Sequence, residues 1–137
     1  MALADKLLKN KNFKSFVKTN IEEEPKEFYH AGSITLNLLL SGKVDGGTPE
    51  KKVTMLAAPR AHFKSIIATI SSANAQRKGA TVVWVDSEFA FDNRTANMFG
   101  LETNTDKFVL IQDNSLEELI KLTLSLFNYN NTKQKEK

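Results

Sequence analysis

From Lys52 onward the chain alternates short apolar runs with helical stripes, and this order limits the fold more than any other feature. Val53, Met55 and Leu56 predict a short strand, interrupted at Ala58 and Pro59. A helix opening near Lys64 follows, with Ile66, Ile67, Ile70 and Ala73 as its inward stripe and Gly79 at its end. Thr81 to Val85, with Trp84, is a strongly strand-forming run. Asp92 can cap a short helix reaching Phe99 and Gly100, and Phe108 to Ile111 predict a further strand. Ser115 with Glu118 makes a capping box for a helix striped by Leu116, Leu119, Ile120, Leu124 and Phe127. Strand, helix, strand, helix, strand, helix argues for the α/β class: a parallel sheet with flanking helices and ligand chemistry at the carboxyl ends of its strands.

Upstream of this core the pattern differs. Leu3, Leu7, Leu8, Phe13, Phe16 and Val17 stand at spacings near three and four, so an N-terminal amphipathic helix is expected, ending by Asn20. Its lysines, Lys6, Lys9, Lys11, Lys14 and Lys18, face a single acid, Asp5. Glu22, Glu23, Glu24 and Pro25 break the pattern and read as a linker. Ser33, then Ile34, Leu36, Leu38, Leu39 and Leu40, closed by Gly42, predict a short capped helix, and Gly46, Gly47 and Pro49 a turn. From Asn128 to Lys137 the chain is polar and aperiodic, and disorder is expected. The expected organisation is therefore a basic helix and linker over residues 1–27, one core over 28–127 and a tail over 128–137.

The absence of cysteine excludes disulfides and thiolate metal sites, leaving His30 and His62 as the imidazole ligands. Nowhere do about 18 apolar residues stand together, so neither a membrane span nor a signal peptide is expected, and the chain reads as cytoplasmic. A net charge of +3 favours an anionic partner only mildly.

Between the first predicted strand and its helix lies Ala58-Pro59-Arg60-Ala61-His62-Phe63-Lys64-Ser65, which has the frame of G-x-x-x-x-G-K-[ST] without either glycine. Phosphate binding needs backbone N–H groups converging at a helix N-terminus, a lysine for the terminal phosphates and a hydroxyl for magnesium. Lys64 and Ser65 supply the last two; a merely basic helix entry is the competing explanation. Asp86 and Glu88 follow the strand containing Trp84 and should project toward the same loop. A carboxylate there can orient an attacking water, although two solvated acids ending a strand would look the same.

Gly32-Ser33-Ile34-Thr35-Leu36-Asn37 through Gly42, then Gly46-Gly47, the loop, and Val85-Asp86-Ser87-Glu88-Phe89 resemble, in order and spacing, successive segments of the RecA-type DNA recombinase core. Phe63-Lys64-Ser65 and Asp86-Ser87-Glu88-Phe89 are most similar to the UvsX-type recombinases of T4-like bacteriophages. The resemblance covers roughly residues 28 to 127 and implies a RecA-like P-loop NTPase core, incomplete in this chain. It also implies ATP and Mg2+ as cofactors, bound by the loop from Ala58 to Ser65, with Ser65 as the metal ligand and Glu88 as the catalytic, water-activating residue. The family contacts adenine and ribose from the next short helix; Asp92 matches its aspartate, while Thr95 stands where its aromatic residue belongs.

The resemblance further implies a role in homologous recombination and repair, with single-stranded DNA and RecA-like filament subunits as partners, in a phage-infected bacterial cell. The family core continues into a magnesium-holding strand and two DNA-binding loops with no counterpart before Lys137, so DNA binding is expected to be weak and hydrolysis slow in this chain alone. Two other classes stay open. One is a non-catalytic module docking on a full-length recombinase by strand addition. The other, ranked lower, is a small metabolite kinase, which fits the strand, loop and helix but shows no acceptor site.

Overall fold

The computed structural model describes residues 24–113 and 115–135. The expected amphipathic helix over the first twenty residues lies outside these. The elements run β1 (Phe28–Tyr29), α1 (Ile34–Ser41), β2 (Thr48–Pro49), α2 (Lys64–Arg77), β3 (Val82–Val85), α3 (Asn93–Met98), β4 (Phe108–Ile111) and α4 (Leu116–Lys135).

Local chemistry sets the ends of the short helices. Ser33 is extended and its Oγ accepts the Leu36 amide at 3.1 Å, which opens α1. Gly42 closes it in the left-handed region at φ 70°, donating its N–H to Leu38 O at 2.9 Å. At α3 the Asp92 carboxylate accepts from the amides of Arg94 and Thr95. All three caps stand where the residue types predict.

β3 and β4 pair in parallel with Val82 opposite Phe108 and Val85 opposite Ile111, and α3 lies in the connection between them. A parallel pair needs such a crossover, because the chain must return to the same end of the sheet before pairing again. The core sits on one side of this pair. Ala73 of α2, Val82, Ala96 of α3 and Leu101 are buried together, and Trp84, Phe91 and Phe108 pack against them. Phe91 bridges the two strands, its ring 5.2 Å from Trp84 and 5.5 Å from Phe108. On the opposite side Val83, Val85 and Val109 are exposed.

Buried amides lock the helices to this core. Gln76 of α2 donates to Glu102 O at 2.9 Å and accepts the Glu102 amide at 3.0 Å, fixing α2 against the α3–β4 link. Asn37 of α1 accepts from the Ala31 amide at 3.0 Å and donates to Val44 O at 2.9 Å. Left without these partners, each buried amide would cost about 1–3 kcal/mol, so both are satisfied from two sides.

Three expectations are corrected. No strand forms at Val53–Leu56: the segment has no ladder partner among the described residues, and Val53 and Met55 are 99% and 84% exposed. Apolar composition alone does not make a strand, because its stability comes from cross-strand pairing. The Gly46–Pro49 turn contains part of an antiparallel pair instead, with Phe28 opposite Pro49 and Tyr29 opposite Thr48. Gly47 is required there: at φ 129° an added Cβ would lie 2.1 Å from the Tyr29 carbonyl oxygen. Finally, α4 continues past Phe127 through Lys135, into the stretch expected to be disordered. Extending an existing helix adds one hydrogen bond per residue fixed, so a polar continuation costs far less than a new nucleus.

Among the described residues, no helix is long and apolar enough to cross a membrane.

Candidate functional site

A cleft of about 650 Å³ opens at the carboxyl end of β3, within the size range of small-molecule sites. Four separate stretches of sequence meet in it. The loop before α2 contributes Arg60 and Ala61, the first turn of α2 contributes Lys64 and Ser65, the end of β3 contributes Asp86 and Glu88, and the start of α3 contributes Asp92 and Thr95. Of the residues expected to bind or react with a ligand, Ala58, Pro59, His62 and Phe63 do not line it.

The loop explains part of this division. Lys64 Nζ donates to Ala58 O and Pro59 O, each at 2.8 Å, so these two residues brace the lysine from behind with their carbonyls. His62 Nδ1 lies 2.6 Å from Arg60 O, which turns the imidazole back onto the loop. Ala61 and Phe63 both adopt the left-handed region at φ 59°. Phe63 sits in the position preceding α2 with no side-chain cap on the helix, so the first N–H groups of α2 are left for solvent or a ligand.

A left-handed alanine is strained by its Cβ, typically by about 1–2 kcal/mol. Ala61→Gly is therefore expected to stabilise the protein by about 1 kcal/mol in chemical denaturation, since the gain outweighs the added freedom of the unfolded chain. An unchanged or lowered midpoint would show that the loop relaxes freely.

Opposite the loop, the chain turns sharply between Asp86 and Phe91. Asp86 is buried, and its Oδ2 accepts from the Phe91 amide at 2.8 Å and from Gln112 Nε2 at 3.1 Å. Burial pushes the Asp86 carboxyl up, but the Phe91 amide, Gln112 and the amides of Ala90 and Glu88 together hold it below the usual carboxylate range. Glu88 itself is exposed on this turn.

Asp92 is held below the ordinary range by the Thr95 hydroxyl and amide, then opposed by desolvation and aided by the Arg94 amide and charge. The Thr95 hydroxyl donates to Asp92 Oδ2. Thr95 is thus engaged with Asp92 through both its hydroxyl and its amide.

Residue types and spacing place Lys64, Ser65 and Glu88 near one another, the family resemblance adds Asp92 and Thr95, and the cleft brings all five together. Phe91 and Gln112 were missed. Phe91 carries no polar signal, and Gln112 lies 26 residues from the carboxylate it contacts.

The model of the RecA N-terminal domain family matches residues 5–131, nearly the whole chain. The chain belongs to this family. Protein RecA of Nocardioides sp. is 33% identical over 98 residues, covering 72% of this chain and 27% of that protein. The mitochondrial DNA repair protein recA homolog 3 of Arabidopsis thaliana is also 33% identical over 98 residues, covering 72% and 22% respectively. Protein RecA of Zymomonas mobilis is 30% identical over 100 residues, 73% of this chain and 27% of its own length. The chain thus spans about a quarter of the length of the curated relatives it matches. Family membership supports the RecA-type reading and a mixed helix–strand domain with a small parallel sheet.

Proposed function

We propose that this chain is the ATP-binding portion of a RecA-type recombinase, of the kind found in T4-like phages, acting in homologous DNA recombination and repair in the cytoplasm of an infected cell. The observation that carries the reading is the convergence of Lys64, Ser65, Glu88 and Asp92 in one cleft at the carboxyl end of a parallel strand. Such ends are where open α/β sheets receive ligands.

The residues present fit a nucleotide. Uncapped N–H groups at the start of α2 and its positive dipole end suit phosphate oxygens. Left-handed residues in the preceding loop are typical of backbone arrangements that cradle anions. Lys64 can exchange its two loop carbonyls for phosphate oxygens without moving far, because it already stands at the cleft. Magnesium usually keeps several waters and binds through few protein ligands plus phosphates, a role that the Ser65 hydroxyl suits. Bound ATP would supply the phosphoryl group that leaves; Glu88 would hold a water by its carboxylate, and Asp92 would face the sugar while capping α3. With Thr95 rather than an aromatic ring beside it, preference for adenine over other bases is expected to be weak.

Trp84 is the sole tryptophan and lines the cleft, so its emission reports occupancy directly. Titration with MgATP should give saturable quenching, and a chain whose emission and thermal midpoint ignore MgATP would sink this reading. Single-stranded DNA binding, through the lysines of the first twenty residues and of the C-terminal stretch, should be weak and indifferent to sequence. Its affinity should fall with salt at a log-log slope of about −0.7 per phosphate neutralised, and deleting the first twenty residues should flatten that slope. Salt-insensitive, sequence-selective binding would contradict it.

A second reading, a non-catalytic module that associates with full-length RecA-type subunits, is favoured by the exposed Val83, Val85 and Val109 on the outer side of the parallel pair. Under it, association with a purified full-length recombinase would survive Lys64→Ala. Under the first reading, nucleotide-dependent association would be lost.

A further inference from the structure

The turn that carries Glu88 is organised by a residue that the proposed chemistry does not use. Asp86 follows directly on β3, and its backbone N–H donates to Ile111 O at 2.8 Å, which ties that end of the strand to β4. Its carboxylate then reaches forward to the Phe91 amide at 2.8 Å and sideways to Gln112 Nε2 at 3.1 Å, both on the same oxygen. Between these anchors the chain reverses through Phe89, which sits at φ 56° with its ring in solvent. A non-glycine residue held in that region needs its surroundings to keep it there. The surroundings here are one buried carboxylate and the amides it gathers.

We propose that Asp86, with Gln112 as its outer brace, is the positioning residue for Glu88: it fixes the turn so that the Glu88 carboxylate faces the end of the nucleotide's phosphate chain. This rests on the nucleotide-binding reading. Both bonds fall on one oxygen, so the amide oxygen of asparagine could keep them, whereas alanine removes them. Gln112 is exposed and contributes one hydrogen bond from beyond β4, so it can be altered with little consequence for folding.

The test is a double-mutant cycle read as the ratio of MgATP to MgADP affinity, measured by Trp84 emission. If Glu88 faces the third phosphate, Glu88→Gln removes a like-charge repulsion and should raise the ATP/ADP affinity ratio about three- to tenfold. In the Gln112→Met background, where length is kept and the hydrogen bond is lost, the same change should move the ratio less than about twofold. Asp86→Ala, which removes both bonds, should behave as Gln112→Met does, and a thermal melt of each variant confirms that the fold persists. A merely structural role would lower both affinities together and leave the Glu88→Gln gain intact. An equal gain in both backgrounds overturns the proposal, as does no gain in a parent chain that binds ATP. A parent chain that binds neither nucleotide overturns the nucleotide reading itself, and the positioning role falls with it.

Discussion

Lys64→Ala is expected to raise the Kd for MgATP about 100-fold, which would reduce Trp84 quenching to near the detection limit. Each tenfold corresponds to about 1.4 kcal/mol, and hydrogen bonds from a charged donor typically contribute about 1.5–3 kcal/mol. If the cleft holds the nucleotide's phosphates as proposed, losing the ammonium group at the mouth of α2 removes at least one such contact together with its charge. The same nitrogen also braces the loop through Ala58 O and Pro59 O, so a loop collapse must be told apart from a lost ligand contact. The loop is exposed, but Lys64 is half-buried and gives up two hydrogen bonds to it, so a loss of about 1 kcal/mol in stability is expected from the substitution itself. A thermal midpoint lowered by no more than this loss, with binding lost, therefore identifies a ligand role. Lys52→Ala, an exposed lysine that does not line the cleft, should leave the affinity within about twofold. Undiminished binding in Lys64→Ala would reduce Lys64 to a loop brace.

What could be read from the sequence divides along the distance over which each feature is decided. Ser33, Gly42 and Asp92 act on amides within a few residues, and the helix ends they imply are where the structure has them. β3 and β4 were legible because β-branched residues crowd into four-residue runs bounded by breakers. Val53–Leu56 has the same local character, yet pairing is a property of two segments, and no described segment pairs with it. Near-continuous apolar strands also imply burial on both faces, whereas Val83, Val85 and Val109 remain exposed on one.

The candidate site shows the same division. Lys64 and Ser65 were visible because the loop frame is a local pattern, and Glu88 because it follows a strand. Asp86 was expected to project toward the loop together with Glu88, and it does line the cleft. Its burial and its bond to Gln112 arise only when β4 lies beside β3, so its organising part in the turn could not be seen from spacing. The left-handed conformations of Ala61, Phe63 and Phe89 are hidden in a similar way, since none of these residue types announces a positive φ.

Leu101→Ala is expected to destabilise the fold by about 2–5 kcal/mol, the range for emptying a fully buried leucine site. Leu101 is 0% exposed and belongs to the cluster with Ala73, Val82 and Ala96, three small side chains that can do little to fill the space left behind. Its neighbours are also held in place: Gln76 clamps Glu102 from α2, and the Leu101 amide donates to Ala96 O at 3.1 Å, so the backbone cannot collapse inward. Limited relaxation puts the cost toward the upper part of the range. A domain of this size has a total stability of about 5–15 kcal/mol, so the loss takes a large share of it. At roughly 3–4 °C per kcal/mol, the thermal midpoint should fall by on the order of 10 °C. Leu39→Ala removes the same atoms from a side chain that is 76% exposed and should cost less than about 0.5 kcal/mol. Equal losses for the two substitutions would mean that the cluster around Leu101 is not the core that holds α2, α3 and the parallel pair together.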